Sequence, residues 1–167
     1  MNSREEVRTN TAYAVRRGDL TDALQICLLY KRVWDEFECV FPKALKESRQ
    51  PPEEEMRQWL AKETYFIAEI EGKVIGVAGC RALHSACQLV HMAVDRPHRG
   101  KGIGTALVRT AIDFARKNNF SKIWLDTIPT MKEAKAVYEK LGFVKCGYLR
   151  RHLYGLDIEL YELILVS

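Results

Sequence analysis

Three glycines at alternate positions, Gly100, Gly102 and Gly104, stand where an apolar strand gives way to a helical pattern. Glycine tolerates positive φ and leaves no side chain between a ligand and the backbone. The N–H groups of the first turn of a helix point outward together, with the positive end of the helix dipole behind them. Arg99 and Lys101 add positive charge beside the glycines. The spacing therefore predicts a cradle for phosphate groups at this turn.

The three glycines alone leave other interpretations open. A tight strand-to-helix turn with solvated charges would show the same glycines. The loop G-x-x-x-x-G-K-[ST] is excluded, because Gly104 is followed by Thr105 and the lysine of this turn comes before it. The dinucleotide fingerprint G-x-G-x-x-G has a different spacing, although Asp126, at the end of the next strand, mimics its ribose-binding acid. A nucleotide-binding α/β protein remains a competing hypothesis.

The composition is that of a soluble globular protein. The chain has 167 residues, of which 47% are hydrophobic and 29% are charged, and this balance predicts one domain spanning residues 1–167. A net charge of +4 is too small to indicate a nucleic-acid partner, although it suits a small polyanionic ligand. The apolar runs are too short to cross a bilayer, and no apolar stretch follows the charged N-terminal residues. The sequence therefore predicts a cytoplasmic protein without a membrane partner.

The cysteines give no sign of a disulfide framework or a metal site. They are odd in number, widely spaced and without a C-x-x-C pair. We therefore expect reduced, mostly buried thiols and no bound metal. The cysteines are Cys27, Cys39, Cys80, Cys87 and Cys146.

The pattern of apolar residues predicts the elements that position the glycine turn. Runs rich in β-branched residues predict an antiparallel meander of three strands before the turn. The turn, its helix and the next strand form one βαβ crossover with a parallel pair of strands. The predicted fold is α+β, a mixed, mostly antiparallel sheet with helices on both faces and the parallel crossover at its centre. In chain order the prediction places strand 13–18, helix 21–38, a helix from Pro52, the meander 64–95, helix 102–117, strand 122–128, helix 131–141 and strands 143–151 and 157–167.

Two local details complete this prediction. Thr130 and Glu133 have the T-x-x-E spacing of a capping box, so the helix at 131–141 is expected to open on them and to close at Gly142. Residues 44–51 are expected to form an irregular loop, the most flexible part of the chain.

Two motifs together resemble a known family. R-x-x-G-x-G at Arg99, Gly102 and Gly104 resembles the acetyl-CoA-binding motif of the GNAT superfamily of N-acetyltransferases. The A-x-x-x-Y-x-K-L-G-F stretch at 134–143 resembles its late segment, in which a helix tyrosine precedes L-G-F, and the resemblance extends over about residues 11–165. It implies the GNAT fold, acetyl-CoA as co-substrate, and direct attack on the acetyl group by a primary amine of a small molecule or peptide.

The resemblance also implies roles for particular residues. The backbone N–H groups from Arg99 to Thr105 would bind the pyrophosphate of CoA. The backbone of 92–94 would bind the pantetheine arm, where the family splays its fourth and fifth strands apart. Tyr138 would act as general acid toward the CoA sulfur, although an apolar stripe on its helix would also suit a packing tyrosine. The implied CoA-binding residues are Met92, Ala93, Val94, Arg99, Gly100, Lys101, Gly102, Ile103, Gly104 and Thr105.

The general base is left open by the sequence. Strict alternation along a strand puts His91 on the face opposite Met92 and Val94, so we expect a core or helix-facing histidine. The same alternation puts Gln88 and Val90 on the face of Met92, where relatives with a base on this strand carry an acid or a histidine. A β-bulge in the strand would reverse this argument. The candidates are Glu69, His91, Asp126, His152 and water alone.

The acceptor amine is not identified by the sequence. Asp35, Glu36 and Glu38 could attract a cationic amine or form a solvated helix end, and His152 and Tyr154 could line a pocket or be ordinary hairpin residues. Because Gln88 replaces an acid, a non-catalytic CoA-sensing or protein-binding module on the same fold is the alternative hypothesis. A homodimer is possible, since dimers are common among GNAT relatives.

Overall fold

The computed structural model describes residues 12–37 and 39–166. The sequence predictions for residues 1–11, Glu38 and Ser167 therefore lie outside the described residues. The strands are β1 (Ala14–Arg17), β2 (Thr64–Ile70), β3 (Lys73–Leu83), β4 (Ala86–Val94), β5 (Lys122–Thr127), β6 (Val144–Leu153) and β7 (Leu156–Ile164). The helices are α1 (Ala23–Asp35), α2 (Lys43–Ser48), α3 (Glu53–Lys62), α4 (Ile103–Lys117) and α5 (Lys132–Lys140), with 3-10 turns at Leu20–Asp22 and Arg96–His98.

The seven strands form one sheet in the order β1-β2-β3-β4-β5-β7-β6. Each neighbouring pair is antiparallel except β4 and β5, which are parallel and connected through α4. This is the predicted mixed sheet with a parallel crossover at its centre, so the predicted fold class is confirmed. The crossover matters for function because the glycine turn begins it.

Helices cover both faces of the sheet, as predicted. On one face, Leu107, Ala111 and Ala115 recur along α4 at helical spacing and are fully buried. Tyr138 of α5 belongs to this same core. On the other face, residues of α1 and α3, among them Ile26, pack on β2, β3 and β4 in a second core. The sheet thus separates an α4 side from an α1 side.

The predicted loop 44–51 is wrong, because residues 43–48 form the short helix α2. Leu45 is completely buried and fastens this helix to the rest of the molecule. Pro42 occupies its N-cap position, and Pro51 follows soon after its end. A single buried leucine in a polar stretch is a weak helical signal, which explains why the sequence pattern missed α2.

The predicted capping box at Thr130 and Glu133 is also wrong. Helix α5 begins at Lys132 with Met131 as its N-cap, and no side chain caps it. The carbonyl of Thr130 instead accepts a hydrogen bond from the N–H of Lys132 in a tight turn. Gly142, with φ of 93°, follows the end of the helix as predicted.

Candidate active site

The parallel strands β4 and β5 pair over only a short length and then separate. Residues 86–88 pair with residues 122–124, whereas β4 continues to Val94 and β5 to Thr127. The edge of β4 that faces β5 therefore lacks a strand partner beyond this pairing, and its backbone groups are available to a ligand. A cavity of about 230 Å³ opens between the diverging strands. Its lining includes Tyr30, Trp34, Leu45, Arg49, Arg81, Gln88, His91, Met92, Asp126, Tyr138 and Leu153.

This cavity is lined by side chains from both faces of the sheet. Tyr138 belongs to the core on the α4 side and Tyr30 to the core on the α1 side, yet both line it. The cavity therefore connects the two sides of the sheet between β4 and β5.

A β-bulge in β4 changes which side chains share a face. Val77 pairs with Ala93 but Gly79 pairs with Val90, so residues 91–92 together oppose Ala78. His91 takes a left-handed conformation, with φ of 52°.

The bulge corrects the predicted alternation. Met92 and Val94 pack with Leu89 on the α4 side. A Cβ at Gly79 would meet both Val90 and Tyr65, and Tyr65 belongs to the core on the α1 side, so Val90 lies on the α1 side. The prediction that Gln88 and Val90 share the face of Met92 is therefore wrong. The prediction that His91 is helix-facing is confirmed by its contacts with α1 and α3.

His91 is held by contacts on several sides. Its ring stacks on Trp59 of α3 with 4.4 Å between ring centroids. Its Nδ1 lies 3.1 Å from the hydroxyl of Tyr65, which lies 3.1 Å from Oε2 of Glu63. The hydroxyl of Tyr30 donates to the carbonyl oxygen of His91 at 2.7 Å. This chain of contacts orients the imidazole at the edge of the cavity.

Burial and two arginines keep His91 neutral. Burial, followed by the positive charges of Arg49 and Arg81, lowers the pKa of His91 from 6.5 to about 3. A group with this pKa is a poor proton acceptor at neutral pH, although a neutral imidazole can still accept a hydrogen bond. His91 is therefore better suited to orient an amine by a hydrogen bond than to remove a proton from the amine.

The lowered pKa of His91 predicts a dependence of stability on pH. Because the pKa of the folded state lies below the unfolded value of 6.5, protons bind the unfolded chain preferentially below that pH. This contribution is fully present above pH 6.5 and is lost as the pH falls toward about 3, at no more than about 1.4 kcal/mol per pH unit. Urea unfolding at about pH 7 and about pH 5 should show a smaller loss of stability for His91→Gln than for the wild type. His152→Gln, which replaces an exposed histidine, is the control. If His91→Gln and the wild type lose the same free energy of unfolding between the two pH values, His91 is not a buried neutral imidazole.

Tyr138 presents a hydroxyl to the cavity from α5. Its side chain is buried, with its ring centroid 5.9 Å from that of Phe143. Burial, with a smaller effect of the Asp126 carboxylate, raises the pKa of Tyr138. Within residues 12–37 and 39–166 this hydroxyl has no hydrogen-bond partner. It is therefore a protonated donor, free to serve a ligand.

The glycine turn leaves helix α4 without a side-chain cap. Gly102 is the N-cap, with φ of 82°, and Gly100 has φ of 74°. The first helical hydrogen bond runs from the N–H of Ala106 to the carbonyl of Gly102, so the N–H groups of residues 103–105 point out of the helix. A Cβ at Gly100 or Gly102 would meet no atom within 4 Å. This open, positively charged helix start has the donors and the space that a pyrophosphate requires.

The side chains of Arg99 and Glu36 bind each other, whereas the sequence analysis assigned Arg99 to the CoA phosphates and Glu36 to a cationic amine or a solvated helix end. The guanidinium of Arg99 binds the carboxylate of Glu36 at 2.9 and 3.1 Å and the carbonyl of Val94 at 2.9 Å. The N–H of Arg99 donates to the carbonyl of Arg96. Arg99 therefore fastens the glycine turn to the end of α1, and Glu36 is occupied by this contact. Lys101 remains exposed beside the turn.

The candidate bases are distributed unevenly around the cavity. His91 and Asp126 line it, and Oδ1 of Asp126 accepts a hydrogen bond from Gln88 at 3.2 Å. Glu69 is instead paired with Arg16 of the edge strand β1 and does not line the cavity. His152 is exposed on β6 and does not line the cavity.

Sequence reasoning missed several of the residues that form this cavity. Arg49, Leu45 and Arg81 were not recognised because no motif marks them and because α2 was not predicted. Residues 12–37 and 39–166 contain no cluster of three or more His, Cys, Asp or Glu side chains placed to hold a metal ion. In the same part of the chain, no helix has the length and apolar character to span a membrane.

Comparisons with known proteins agree with this architecture. The Acetyltransferase (GNAT) family profile matches residues 29–143. N-acetyltransferase 8B of Homo sapiens is 37% identical over 103 residues, which make up 58% of this chain and 45% of that protein. The matched region thus spans less than half the length of this curated relative.

Solved structures share the whole fold. The GNAT-family acetyltransferase of Streptococcus pneumoniae has a TM-score of 0.79 at 21% identity, covering 92% of this chain and 99% of that one. The yncA protein of Salmonella typhimurium, solved with its cofactor acetyl-CoA, has a TM-score of 0.78 at 19% identity, covering 94% of this chain and 96% of that one. The family match over most of the described residues and the shared fold lead to one conclusion: the chain belongs to the acetyltransferase (GNAT) family.

Proposed function

We propose that this protein is an acetyl-CoA-dependent N-acetyltransferase that transfers the acetyl group to a primary amine by direct attack. One observation supports this proposal most strongly. The start of α4 has no side-chain cap and suits the phosphates of acetyl-CoA. It follows β4, and β4 and Tyr138 both line the cavity. The separation of β4 and β5 provides the path between the two.

The fit of acetyl-CoA rests on the groups available along β4 and α4. Residues 103–105 offer three N–H groups at the positive end of the helix dipole. The unpaired edge of β4 at 92–94 offers backbone donors and acceptors to an amide-containing arm. The yncA protein, which shares this fold, was solved with acetyl-CoA. We therefore propose that residues 99–105 and 92–94 of this chain bind acetyl-CoA.

The amine must be neutral to attack, and the free energy of its deprotonation depends on the acceptor. At pH 7 an alkyl amine of pKa about 10.4 requires roughly 4–5 kcal/mol, whereas an α-amine near 7.8 requires only about 1 kcal/mol. His91 and Asp126 line the cavity where the amine would sit. We propose that neutral His91 accepts a hydrogen bond from the amine and that water removes its proton.

Tyr138 acts on the departing sulfur in this proposal. As the bond between the acetyl carbon and sulfur breaks, the sulfur gains the electron pair and accepts a proton or a hydrogen bond from the tyrosine. Full proton transfer from an ordinary tyrosine to a thiolate is uphill by about 2 kcal/mol, and the raised pKa of Tyr138 increases this difference. Tyr138 therefore serves mainly as a hydrogen-bond donor in the transition state.

Incubation with acetyl-CoA and a panel of primary amines tests the function. Release of CoA thiol should depend on the amine, and mass spectrometry should detect the acetylated product. Acetyl-CoA binding measured by calorimetry provides an independent readout. Absence of binding would contradict the proposal, whereas binding without acetylation of any amine would favour the CoA-sensing or protein-binding module.

The remaining expectations stay predictions. They are one domain across residues 1–167, a cytoplasmic location, and a possible homodimer. Size-exclusion chromatography with light scattering tests the last of these.

A further inference from the structure

One positive charge in the cavity has no counterion. Arg49, at the end of α2, is half-buried and lines the cavity. Its guanidinium makes no ion pair or side-chain hydrogen bond within the described residues 12–37 and 39–166. Leu45, completely buried on the same helix, fixes the position from which Arg49 reaches the cavity. A half-buried arginine without a partner loses hydration with no compensating ion pair, so an anionic ligand would stabilise it.

The other charged groups of the cavity do not compensate the positive charge of Arg49. Arg81 is neutralised by Glu63, with 2.5 Å between its Nε and Oε1 of the carboxylate. Asp126 is the one carboxylate that lines the cavity within the described residues, and it lies on β5. Arg49 is thus an uncompensated cation on the wall formed by α2, while the carboxylate of Asp126 lies on the wall formed by β5.

The two charged groups act on different side chains of the cavity. Asp126 is close enough to Tyr138 for its charge to act on the tyrosine hydroxyl. Arg49 acts in the same way on Tyr30 and His91, on the α1 side. An acceptor whose amine is bound by His91 beside Asp126 and Tyr138 would therefore direct a second polar group toward Arg49. Tyr30, Trp34 and Leu45 supply apolar contacts around that group.

We propose that the acceptor is a small amine that also carries a carboxylate, as an α-amino acid does, and that Arg49 binds this carboxylate. The proposal rests on the proposed acetyltransferase function. It excludes polyamines as good acceptors, because a second ammonium group would lie against the guanidinium of Arg49. It also names Arg49 as the residue that determines acceptor specificity.

Matched pairs of acceptors test the proposal. Amino acids with apolar side chains are compared with their own carboxamides, and spermidine serves as the polyamine, with thiol release as the readout. The amine of a carboxamide is less basic and is neutral more often, so intrinsic reactivity alone favours the amide. We expect a higher kcat/KM for the free acid than for its amide or for spermidine. A kcat/KM for the amide or for spermidine that equals or exceeds the value for the free acid would overturn the proposal.

Variants of Arg49 show whether this residue is responsible. Arg49→Gln should raise KM for the free acid about tenfold or more, and Arg49→Lys should restore part of the loss. The KM for acetyl-CoA and the rate with the amide should not change. Lys46→Gln, which removes one positive charge from the same helix, is the control for net charge. If Arg49→Gln loses the same activity with the acid and with the amide, the carboxylate contact is overturned. If the wild-type protein does not bind acetyl-CoA, the acetyltransferase function itself is overturned.

Discussion

Replacement of Tyr138 by phenylalanine is expected to lower kcat for acetyl transfer by about 10²- to 10³-fold, the range typical of losing one hydrogen-bond donor that stabilises charge in the transition state. The substitution removes one hydroxyl and keeps the ring that packs beside Phe143. Because this hydroxyl makes no other hydrogen bond within the described part of the chain, its removal leaves the fold intact. The KM for acetyl-CoA should stay within about twofold, since Tyr138 acts on the sulfur mainly in the transition state.

Tyr161→Phe is the matched control for this experiment. Tyr161 is also buried, but its hydroxyl lies near Glu139 and Glu159, and it does not line the cavity. Steady-state kinetics of both variants should show the loss for Tyr138→Phe alone. The raised pKa of Tyr138 also means that its hydroxyl stays protonated, so the wild-type rate should not decline through this group below about pH 10. A Tyr138→Phe variant with full activity would contradict the assigned role.

Replacement of Gly102 by valine is expected to weaken acetyl-CoA binding more than about 100-fold. Gly102 has φ of 82°, which a β-branched residue avoids. The backbone must rotate to relieve this strain, and the rotation turns the N–H groups of 103–105 away from their common direction. Each lost hydrogen bond to a charged phosphate accounts for about 1.5–3 kcal/mol. Calorimetry with acetyl-CoA measures the change directly.

Gly72→Val separates the effect on binding from the effect of backbone strain. Gly72, in the turn between β2 and β3, has φ of 78°, and like Gly102 it has no atom within 4 Å of an added Cβ. Both variants should therefore lose similar stability in thermal unfolding, while only Gly102→Val loses affinity for acetyl-CoA. Equal affinity in the two variants would show that the glycine turn does not hold the phosphates.

The sequence predicted the parts of the fold that strong local patterns specify. The runs rich in β-branched residues in 64–94 predicted strands, and the glycines before α4 predicted a strand-to-helix turn. Gly102 is informative by itself, because a left-handed conformation before a helix strongly favours glycine. These local signals were sufficient for the crossover, for the glycine turn and for the position of Tyr138 on a helix.

Other parts of the site depend on contacts that the sequence does not display. The bulge at His91 follows from the pairing of β4 with β3, and one extra residue was enough to place Val90 on the face opposite Met92. The separation of β4 from β5 is likewise a property of the sheet, which the family resemblance implied and the residue pattern did not. Arg99 has the position of a phosphate ligand in the motif, yet its side chain binds Glu36, which is 63 residues away in sequence.

A crystal structure with acetyl-CoA bound tests the central claim most directly, because the claim concerns where the phosphates and the thioester lie. We expect the pyrophosphate on the N–H groups of 103–105 and the pantetheine arm along the free edge of β4. We expect the thioester sulfur within hydrogen-bonding distance of the Tyr138 hydroxyl, with open space beside it between His91 and Arg49. A complex in which the phosphates lie away from the glycine turn, or in which the sulfur does not approach Tyr138, would contradict the account.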